Sequence, residues 1–394
     1  MNNMAIVAIA YNRTKSLERL LYSLNEVAYN ETIEVPLIIS IDWSEKIDSV
    51  YEAADRFEWK HGPKRIIRHE NNLGLKKHVL FCGDMTEEYD AIAVFEDDIY
   101  ASPGFYQFGQ KALDYYKHSD NITGISLYTP EWNQTAGRFF SVVQNEYDTF
   151  FMQYAQSWGQ IWTRNWWSEF KQWLEEENDN DFKKESIPHN VKEWPDKSSW
   201  LKQHIKFCIE KNKYFVYSKI SYSTNFSEAG EHNKLTTPSY QVPFFKGHKF
   251  DYNFQPVKEN AVKYDAFFER EDLAQYLNLE SEDLCVDLYG TKSNAKRYLL
   301  TTRILDYKII NSFGMKLRPQ ELNVIMKIEG KEIHLYDTHE KIESSADKKK
   351  KENYINIYRT LYDVRATTRR NLSLLNFHLL KSDILRKTKL FKRR

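Results

Sequence analysis

The feature that most constrains the fold of this chain is an apolar run that ends in three consecutive acids. Residues 91–95 read AIAVF, and Glu96, Asp97 and Asp98 follow directly. Such a run predicts a strand buried on both faces, which is typical of a mostly parallel sheet covered by helices. Ligands of these sheets bind beyond the carboxyl ends of the strands, which is where the three acids fall.

The acid triplet indicates a particular chemistry. Adjacent carboxylates repel a diphosphate, but they hold a hard divalent cation through oxygen, and the cation then holds the phosphates. The simplest functional interpretation is a metal-bridged nucleotide site. A solvated acidic turn after a strand is the structural alternative, and the motif alone leaves both open.

Strands and helices are predicted to alternate along the first part of the chain, which favours an α/β fold. Leu17, Leu20, Leu21 and Leu24 have the spacing of one buried helix face, with Thr14 or Ser16 as its cap. Predicted strands cover residues 4–10, 35–41, 64–68, 91–95, 122–127 and 214–217. Predicted helices continue at residues 47–59, 75–82, 105–118 and 198–211.

Three segments are predicted. Residues 1–258 form the α/β domain, and residues 259–339 form a small α+β appendage with a helix and strands at 323–328 and 332–336. Residues 340–394 form a charged linker and a basic helical tail, in which 365–394 carry ten basic residues and one acid. Leucine and isoleucine interleave with those cations, a composition suited to an anionic membrane surface. A solvated helix or disordered arm is the alternative, and RNA binding is less favoured because stacking aromatics are few there.

Composition excludes several classes. Charge is balanced at 56 Lys and Arg against 56 Asp and Glu, so nothing global indicates a nucleic-acid partner. Three widely spaced cysteines make neither a disulfide framework nor a zinc pattern, which favours a reducing cytoplasm. The first apolar run is too short for a signal peptide, and none reaches the roughly 20 residues of a membrane span. The predicted location is the cytoplasm, peripheral on the inner face of the membrane.

Spaced motifs stand in the order in which a known family carries them. They are residues 8–13 (AIAYNR), 39–42 (ISID), 68–69 (RH), 96–98 (EDD), 157–159 (SWG), 194–195 (WP) and 221–226 (SYSTNF) with Gly230 and His232. On these motifs the first 235 or so residues resemble the GT-A glycosyltransferases, most closely the N-acetylglucosaminyltransferase I-like group and related bacterial surface-glycan enzymes. The resemblance implies a GT-A fold and transfer from a UDP-sugar, with UDP-N-acetylglucosamine suggested, to a surface-polysaccharide or lipid-linked glycan acceptor.

The resemblance also implies roles around a Mn²⁺ or Mg²⁺ ion. Asp98 corresponds to the metal ligand, with His232 as a possible second one, while Glu96 and Asp97 meet ribose or sugar hydroxyls. Trp158 belongs to the loop over sugar and acceptor.

The nucleotide end is implied in the same way. Arg13 contacts the nucleotide, Asp42 reads the uracil, and His69 lies near the base. A carboxylate can accept from the uracil N–H, and Lys76, following Asn72, adds positive charge near this edge. The structural alternatives are Asp42 as a helix cap, His69 as a packed or turn histidine, and Lys76 as surface charge.

The general base departs from the family pattern. An inverting transferase needs a carboxylate opposite the leaving diphosphate, but Trp200 is followed by Leu201 and Lys202 where acids are expected. Asp196 is the preferred substitute, and the other nearby acids are Glu193, Glu228 and Glu231. An inactive nucleotide- or glycan-binding scaffold is therefore one alternative. A sugar-phosphate nucleotidyltransferase is another, although no glycine-rich phosphate loop follows the first strand.

Overall fold

The computed structural model describes residues 4–30, 32–176, 187–226, 228, 240–258, 260–293 and 296–343. The strands of this part of the chain are β1 Met4–Ala10, β2 Leu37–Ile41, β3 Lys64–Arg68, β4 Ala91–Glu96, β5 Ile99–Ala101, β6 Ile122–Ser126, β7 Trp132–Asn133, β8 Arg138–Phe139, β9 Thr149–Met152, β10 Gln160–Thr163, β11 Tyr214–Ser218, β12 Ser223–Asn225, β13 Lys263–Tyr264, β14 Leu284–Asp287, β15 Tyr298–Thr301, β16 Tyr307–Phe313 and β17 Ile333–Lys341. The helices are α1 Thr14–Asn25, α2 Ile47–Arg56, α3 Leu75–Gly83, α4 Phe105–Tyr116, α5 Arg164–Glu176, α6 His189–Lys192, α7 Trp200–Glu210, α8 Ala274–Leu277 and α9 Leu322–Ile325.

The fold is a mixed α/β fold with a large, mostly parallel sheet flanked by helices, as the sequence predicts. Nine of the described strands form this sheet in the order β13-β9-β11-β6-β10-β4-β1-β2-β3. The strands β1, β2, β3, β4, β6 and β11 run in one direction, and β9, β10 and β13 run in the other. Six carboxyl ends therefore meet at one edge, and the acid triplet lies near its centre.

The sheet is buried on both faces, which explains its continuous apolar strands. Alternate residues of β4 enter different cores, because successive side chains of a strand point to opposite faces. Ala91, Ala93 and Phe95 pack in one core, and Ile92 and Val94 in the other. The predicted double burial of this strand is confirmed.

Helix α1 covers one face with the predicted leucines, but its cap is not as predicted. Arg13 occupies the N-cap position, and no side chain caps the helix. The Thr14 hydroxyl instead contacts the Ser49 hydroxyl at 3.1 Å, and Ser16 donates to Glu228 at 3.0 Å. Both hydroxyls are used in tertiary contacts, so the cap prediction was wrong.

Residues 130–176 contain structure that the sequence did not reveal. The strands β9 and β10 run through the large sheet there, and α5 follows directly. Helix α5 buries Trp166 in one core of the sheet and Trp167, Phe170 and Trp173 in the other. The bulky aromatics of α5 are therefore core residues.

A second sheet has the order β14-β15-β17-β16. The predicted strand at 332–336 is confirmed as part of β17, whereas the one at 323–328 was wrong because α9 begins there. The Asn323 side chain accepts from the amides of Lys316 and Leu317 and donates to the carbonyls of Leu317 and Gln320, which fixes a turn. Since β13 belongs to the large sheet, residues 259–339 contribute to both sheets, and the division into domains stays a prediction.

Further sequence predictions concern the cysteines, membrane spans and the tail. Cys82, Cys208 and Cys285 are buried free thiols. Among the residues that the structure describes, no helix is long and apolar enough to span a bilayer. The predicted tail, 365–394, lies outside the described residues.

His204 in α7 makes stability sensitive to acid. Its ring stacks on Phe170, with centroids 4.1 Å apart and an interplanar angle of 9°, and neither ring nitrogen has a hydrogen-bond partner in the described structure. Burial lowers the pKa of His204 to about 3. The histidine pKa of the unfolded chain is near 6.5. Between about pH 6.5 and pH 3 this histidine is therefore protonated in the unfolded chain but neutral in the folded chain.

The free energy of unfolding should therefore fall as the pH drops below 6.5 toward 3. In His204→Phe, the loss of stability between pH 7 and pH 5 should be smaller than in the wild type by about 2 kcal/mol. Urea unfolding at both pH values measures the difference. The exposed His118 supplies the control, His118→Gln, which should keep the wild-type pH dependence. An unchanged pH dependence in His204→Phe would contradict this role.

Candidate active site

Arg13 joins the ends of two neighbouring strands. The strands β1 and β4 pair in parallel, so Arg13, three residues beyond β1, meets the acids that follow β4. Its Nη2 donates to Asp97 Oδ1 and lies 3.2 Å from Asp98 Oδ2. The predicted site residues Arg13, Asp97 and Asp98 are thus in direct contact.

The acid triplet carries more negative charge than Arg13 compensates. Asp97 is only 3% exposed. Burial raises the pKa of Asp97 to about 7, although Arg13 opposes the shift. Burial and the charges of Asp98 and Asp97 raise the pKa of Glu96 to about 8. Three carboxylates share one guanidinium, so a further cation would be stabilised here.

Two carboxylate oxygens point to where such a cation fits. Asp97 Oδ2 and Asp98 Oδ1 are buried and have no hydrogen-bond partner in the described structure. A buried carboxylate oxygen without a hydrogen-bond partner lowers the stability of the folded protein. Carboxylate oxygens are also the ligands that Mg²⁺ and Mn²⁺ prefer. The donor set therefore fits a divalent metal, although the described residues contain no group of three or more His, Cys, Asp or Glu that could enclose one. The predicted second ligand, His232, lies outside the described residues.

The chain beyond β12 returns to the acid triplet. The Phe226 amide donates to the Asp98 carbonyl at 3.0 Å. Glu228 accepts from both terminal nitrogens of Arg19, each at 2.8 Å, and these contacts lower its pKa. The Arg19 guanidinium also lies 3.6 Å from the centre of the Phe226 ring. These contacts hold residues 226 and 228 against α1 and the acid triplet.

Asp42 holds the loop before α3. Its carboxylate, 3% exposed, accepts from the amides of Trp43 at 2.9 Å, Leu73 at 2.8 Å and Gly74 at 3.0 Å. Gly74 is the N-cap residue of α3 and has a φ of 73°, a conformation that favours glycine. The helix-cap interpretation of Asp42 was wrong, because the N-cap residues of α2 and α3 are Lys46 and Gly74 and neither helix has a side-chain cap. Its contact with a uracil stays a prediction.

His69 belongs to a small histidine cluster beside Asp42. The Ser40 hydroxyl lies 3.1 Å from His69 Nε2 and 2.8 Å from His78 Nε2. Burial lowers the pKa of both histidines, and that of His78 falls to about 4. Phe81 packs edge-on against His69, with ring centroids 4.8 Å apart. His69 is therefore a packed, neutral ring at this edge.

An exposed aromatic here was missed by the sequence reasoning. Trp43 follows β2 and Asp42, and it is 43% exposed. The side-chain amide of the predicted site residue Asn72 donates to the Trp43 carbonyl at 2.9 Å, which joins the Asn72 side chain to the Trp43 backbone. Trp43 thus offers a flat apolar face two strands from the acid triplet. Its position directly after the ISID motif is the sequence signal that could have identified Trp43 as a candidate site residue.

The predicted base Asp196 is held in an ion pair. Its carboxylate lies 2.8 Å from Lys202 Nζ, and that hydrogen bond lowers the pKa of Asp196. Lys202 also donates to the carbonyls of Lys192 at 2.9 Å and Trp194 at 2.8 Å, so this buried lysine organises the Trp-Pro loop. Lys76 donates to the Asp196 carbonyl at 3.0 Å, which joins α3 to this loop. The contact makes Asp196 a weaker base, and its catalytic role stays a prediction.

Trp158 lies at the same edge, where β10 begins beside the end of β4. Its ring contacts Tyr128 and Tyr240, with centroids 4.7 and 5.0 Å away. Its carbonyl accepts from the Ser223 hydroxyl at 2.5 Å. Gly159 has a φ of 93°, and a Cβ there would lie 3.0 Å from Ser223 Oγ. The Ser-Trp-Gly motif is thus a tight turn that needs its glycine.

Comparison with known proteins adds a family model and several solved structures. A model described as the SPBC1E8.03c C-terminal domain matches residues 15–181, less than half of this chain. A search of curated proteins found no match.

Among solved structures, the chain is similar to S. aureus TarS 1-349 (16% identity, TM-score 0.36, 57% of this chain and 60% of that one). It is also similar to the same protein in complex with UDP-GlcNAc (15% identity, TM-score 0.37, 59% and 60%). A third similar structure is the mannosyltransferase PcManGT from Pyrobaculum calidifontis in complex with GDP-Man and Mn²⁺ (11% identity, TM-score 0.30, 44% and 46%). The chain thus spans about three fifths of the TarS 1-349 structures. Similarity at this level does not establish an activity for this chain, which has to be inferred from the site.

The contacts of Asp42 predict a structural effect of its substitution. In Asp42→Asn one acceptor oxygen becomes a donor, so a backbone amide loses its partner and faces another donor. The free energy of unfolding at pH 7, measured by urea without ligand, should fall by about 2 kcal/mol. Asp48→Asn is the matched control, because Asp48 is 78% exposed in its ion pair with Arg68. The control should change stability by less than about 0.5 kcal/mol. Equal stabilities would contradict the anchoring role of Asp42.

Proposed function

We propose that this protein is a metal-dependent GT-A glycosyltransferase. It transfers a sugar from a UDP-sugar to a surface-polysaccharide or lipid-linked glycan acceptor. The observation that carries the proposal is the pair of buried, unpartnered oxygens on Asp97 and Asp98, beside a single guanidinium, at the centre of the carboxyl edge. UDP-N-acetylglucosamine is the first donor to test.

The distance along the sheet edge supports a nucleotide diphosphate as the ligand. The strand order places β2, with Asp42 and Trp43 at its end, two strands from β4 and the acids. Two strand spacings amount to about 10 Å, a distance that a nucleoside diphosphate can span. The base would lie against the Trp43 face and the diphosphate beside the acid triplet.

The residues of this edge would have distinct roles in the reaction. Asp98, with Asp97 beside it, would hold Mn²⁺ or Mg²⁺, and His232 is proposed as a further ligand. A bound divalent ion would neutralise the charge that develops on the departing diphosphate. Arg13 favours the ionised form of Asp97, and its guanidinium can donate to phosphate oxygens at the same place.

Deprotonation of the acceptor is the least defined step. Asp196 remains the proposed base, and its ion pair with Lys202 favours the carboxylate form but weakens its basicity. This ion pair is also the observation that favours the second candidate, a transferase-like scaffold that binds nucleotide or glycan without turnover. The nucleotidyltransferase alternative has no comparable support.

One assay separates these functions. The protein is incubated with a panel of nucleotide sugars that includes UDP-GlcNAc and GDP-Man, with and without Mn²⁺, and free UDP or GDP is measured. Metal-dependent UDP release is expected, and Asp98→Asn should lower it by about 100-fold or more. Asp114→Asn, an exposed substitution on α4, is the matched control and should leave the rate unchanged. Pyrophosphate release from UTP, or nucleotide binding without any product, would contradict the transferase.

The tail gives a second, separable proposal. We propose that residues 365–394 hold the enzyme on the inner, anionic face of the cell membrane, since each basic residue near such a surface contributes about 1 kcal/mol. Removal of residues 365–394 should abolish co-sedimentation with anionic liposomes while UDP release persists. Unchanged sedimentation would contradict the membrane partner. Nucleic acid is not among the proposed partners.

A further inference from the structure

A second cleft lies away from the acid triplet. It has a volume of about 600 Å³, and none of Glu96, Asp97 and Asp98 lines it. One wall is the loop and β7–β8 hairpin of residues 129–144, and the other is the segment 315–320 that precedes α9. The cleft thus lies between the β7–β8 hairpin and the segment that precedes α9.

The walls of the cleft are fixed by hydrogen bonds. Tyr289 donates from its hydroxyl to the Phe139 carbonyl at 3.2 Å, which joins the hairpin to the chain beyond β14. Tyr264, on the large sheet, donates to the buried carboxylate of Glu321 at 2.7 Å, which positions the start of α9. Both walls of the cleft are therefore held in place by tertiary hydrogen bonds.

The lining of the cleft includes four cations and three aromatic residues. Its charged lining residues are Arg138, Lys219, Lys316, Arg318, Glu131 and Glu332. Four cations against two carboxylates leave an excess of two positive charges, although the whole chain has a formal net charge of zero. A concave surface with excess charge of one sign attracts ligands of the opposite sign.

Arg138 is the residue that most directly indicates an anionic ligand. Its side chain is half-buried, and burial lowers the pKa of Arg138 although Tyr289, Glu269 and Asp287 oppose the shift. The nearest buried acids are already engaged: Glu269 accepts from the Tyr289 amide at 2.6 Å, and Asp287 pairs with Arg303 at 2.8 Å. A partly desolvated guanidinium whose neighbouring acids make their closest contacts elsewhere favours a carboxylate or phosphate from outside.

Phe139, which follows Arg138 in β8, also lines the cleft. Phe139 is 67% exposed and packs edge-on against Trp132, with ring centroids 5.3 Å apart. The ring is held in place yet faces solvent, an arrangement that suits contact with the apolar face of a sugar. A cation and a fixed aromatic face together define a mixed charged and apolar surface.

The cleft opens near the edge that carries the acid triplet. Lys219 directly follows β11, and Thr129 donates from its hydroxyl to the Ser218 carbonyl at 2.6 Å. The strand order places β11 three strands from β4, which is about 15 Å. A chain-like ligand seated in the cleft could therefore extend to the acid triplet.

We propose that this cleft binds an acidic glycan, with Arg138 pairing with its charged groups and Phe139 packing on its sugar rings. The identification of that glycan as the acceptor rests on the proposed function. The binding itself does not, because no residue of the acid triplet takes part in it.

The test is direct binding to the full chain without nucleotide sugar or metal. The probe is a fluorescently labelled oligogalacturonate, compared with a neutral malto-oligosaccharide and a polyglutamate of matched length. Oligogalacturonate should bind more tightly than both, and Arg138→Gln should weaken it by about 10-fold or more. Arg138→Lys should lose less affinity, since it keeps the charge. Arg56→Gln, the same change at an exposed site on α2, should bind like the wild type.

Several results would overturn the inference. Equal binding of the neutral glycan or of polyglutamate would show that acidic sugars are not recognised. Equal affinity in Arg138→Gln, or displacement of the probe by UDP, would place the probe elsewhere. Tighter binding of an RNA of the same charge would identify another class of ligand.

The two proposals can fail separately. Donor hydrolysis without acceptor should be unchanged in Arg138→Gln, because Arg138 is outside the acid triplet. If oligogalacturonate binds through Arg138 but no UDP-sugar is turned over, the transferase proposal is wrong, whereas the inference that the cleft binds an acidic glycan is supported. If UDP is released but the probe does not bind, the cleft inference fails alone.

Discussion

The contact between Arg13 and the carboxylates of Asp97 and Asp98 is the interaction on which the account of this protein depends. It exists because β1 and β4 pair in parallel, so that the residues following both strands meet at one edge. One guanidinium cannot compensate three acids, and two buried oxygens keep no partner in the described structure. The same strand pairing that creates the sheet therefore creates a site that favours a divalent cation.

The rest of the carboxyl edge is organised around that contact. Asp42 fixes the loop before α3 through three backbone amides, and the exposed Trp43 stands beside it. Lys202 fixes the loop that carries Asp196. Several polar residues that the sequence singled out as functional candidates thus also hold loops in place. A residue at this edge can do both, because a positioned loop is what a bound nucleotide requires.

Much of the fold could be predicted from the sequence, because parallel strands buried on both faces leave uninterrupted apolar runs. The strands at 4–10 and 64–68 have the predicted bounds. The strands β9 and β10 were missed, since their residues sit among loop-like polar sequence and aromatics that gave no clear period. The strand predicted at 323–328 was wrong because Asn323 makes four hydrogen bonds that close a turn, and no local propensity encodes those partners.

Some features of the candidate site could likewise be predicted from the sequence, and others could not. The position of Asp97 and Asp98 could be predicted, because they directly follow an apolar strand, whereas Arg13 was implied only by the family resemblance and its contact with the acids was not predicted. The ion pair of Lys202 with Asp196 and the position of Arg138 in the second cleft could not, because they depend on segments that approach from distant parts of the chain. Tertiary contacts of this kind leave no periodic signal in the sequence.

The most direct test of the central claim is anomalous diffraction from crystals soaked with Mn²⁺ and UDP. The account predicts one manganese peak within bonding distance of the Asp98 carboxylate, bridging to the UDP diphosphate, with the uracil toward Trp43. A manganese ion and a diphosphate that both lie remote from Asp98 would contradict it.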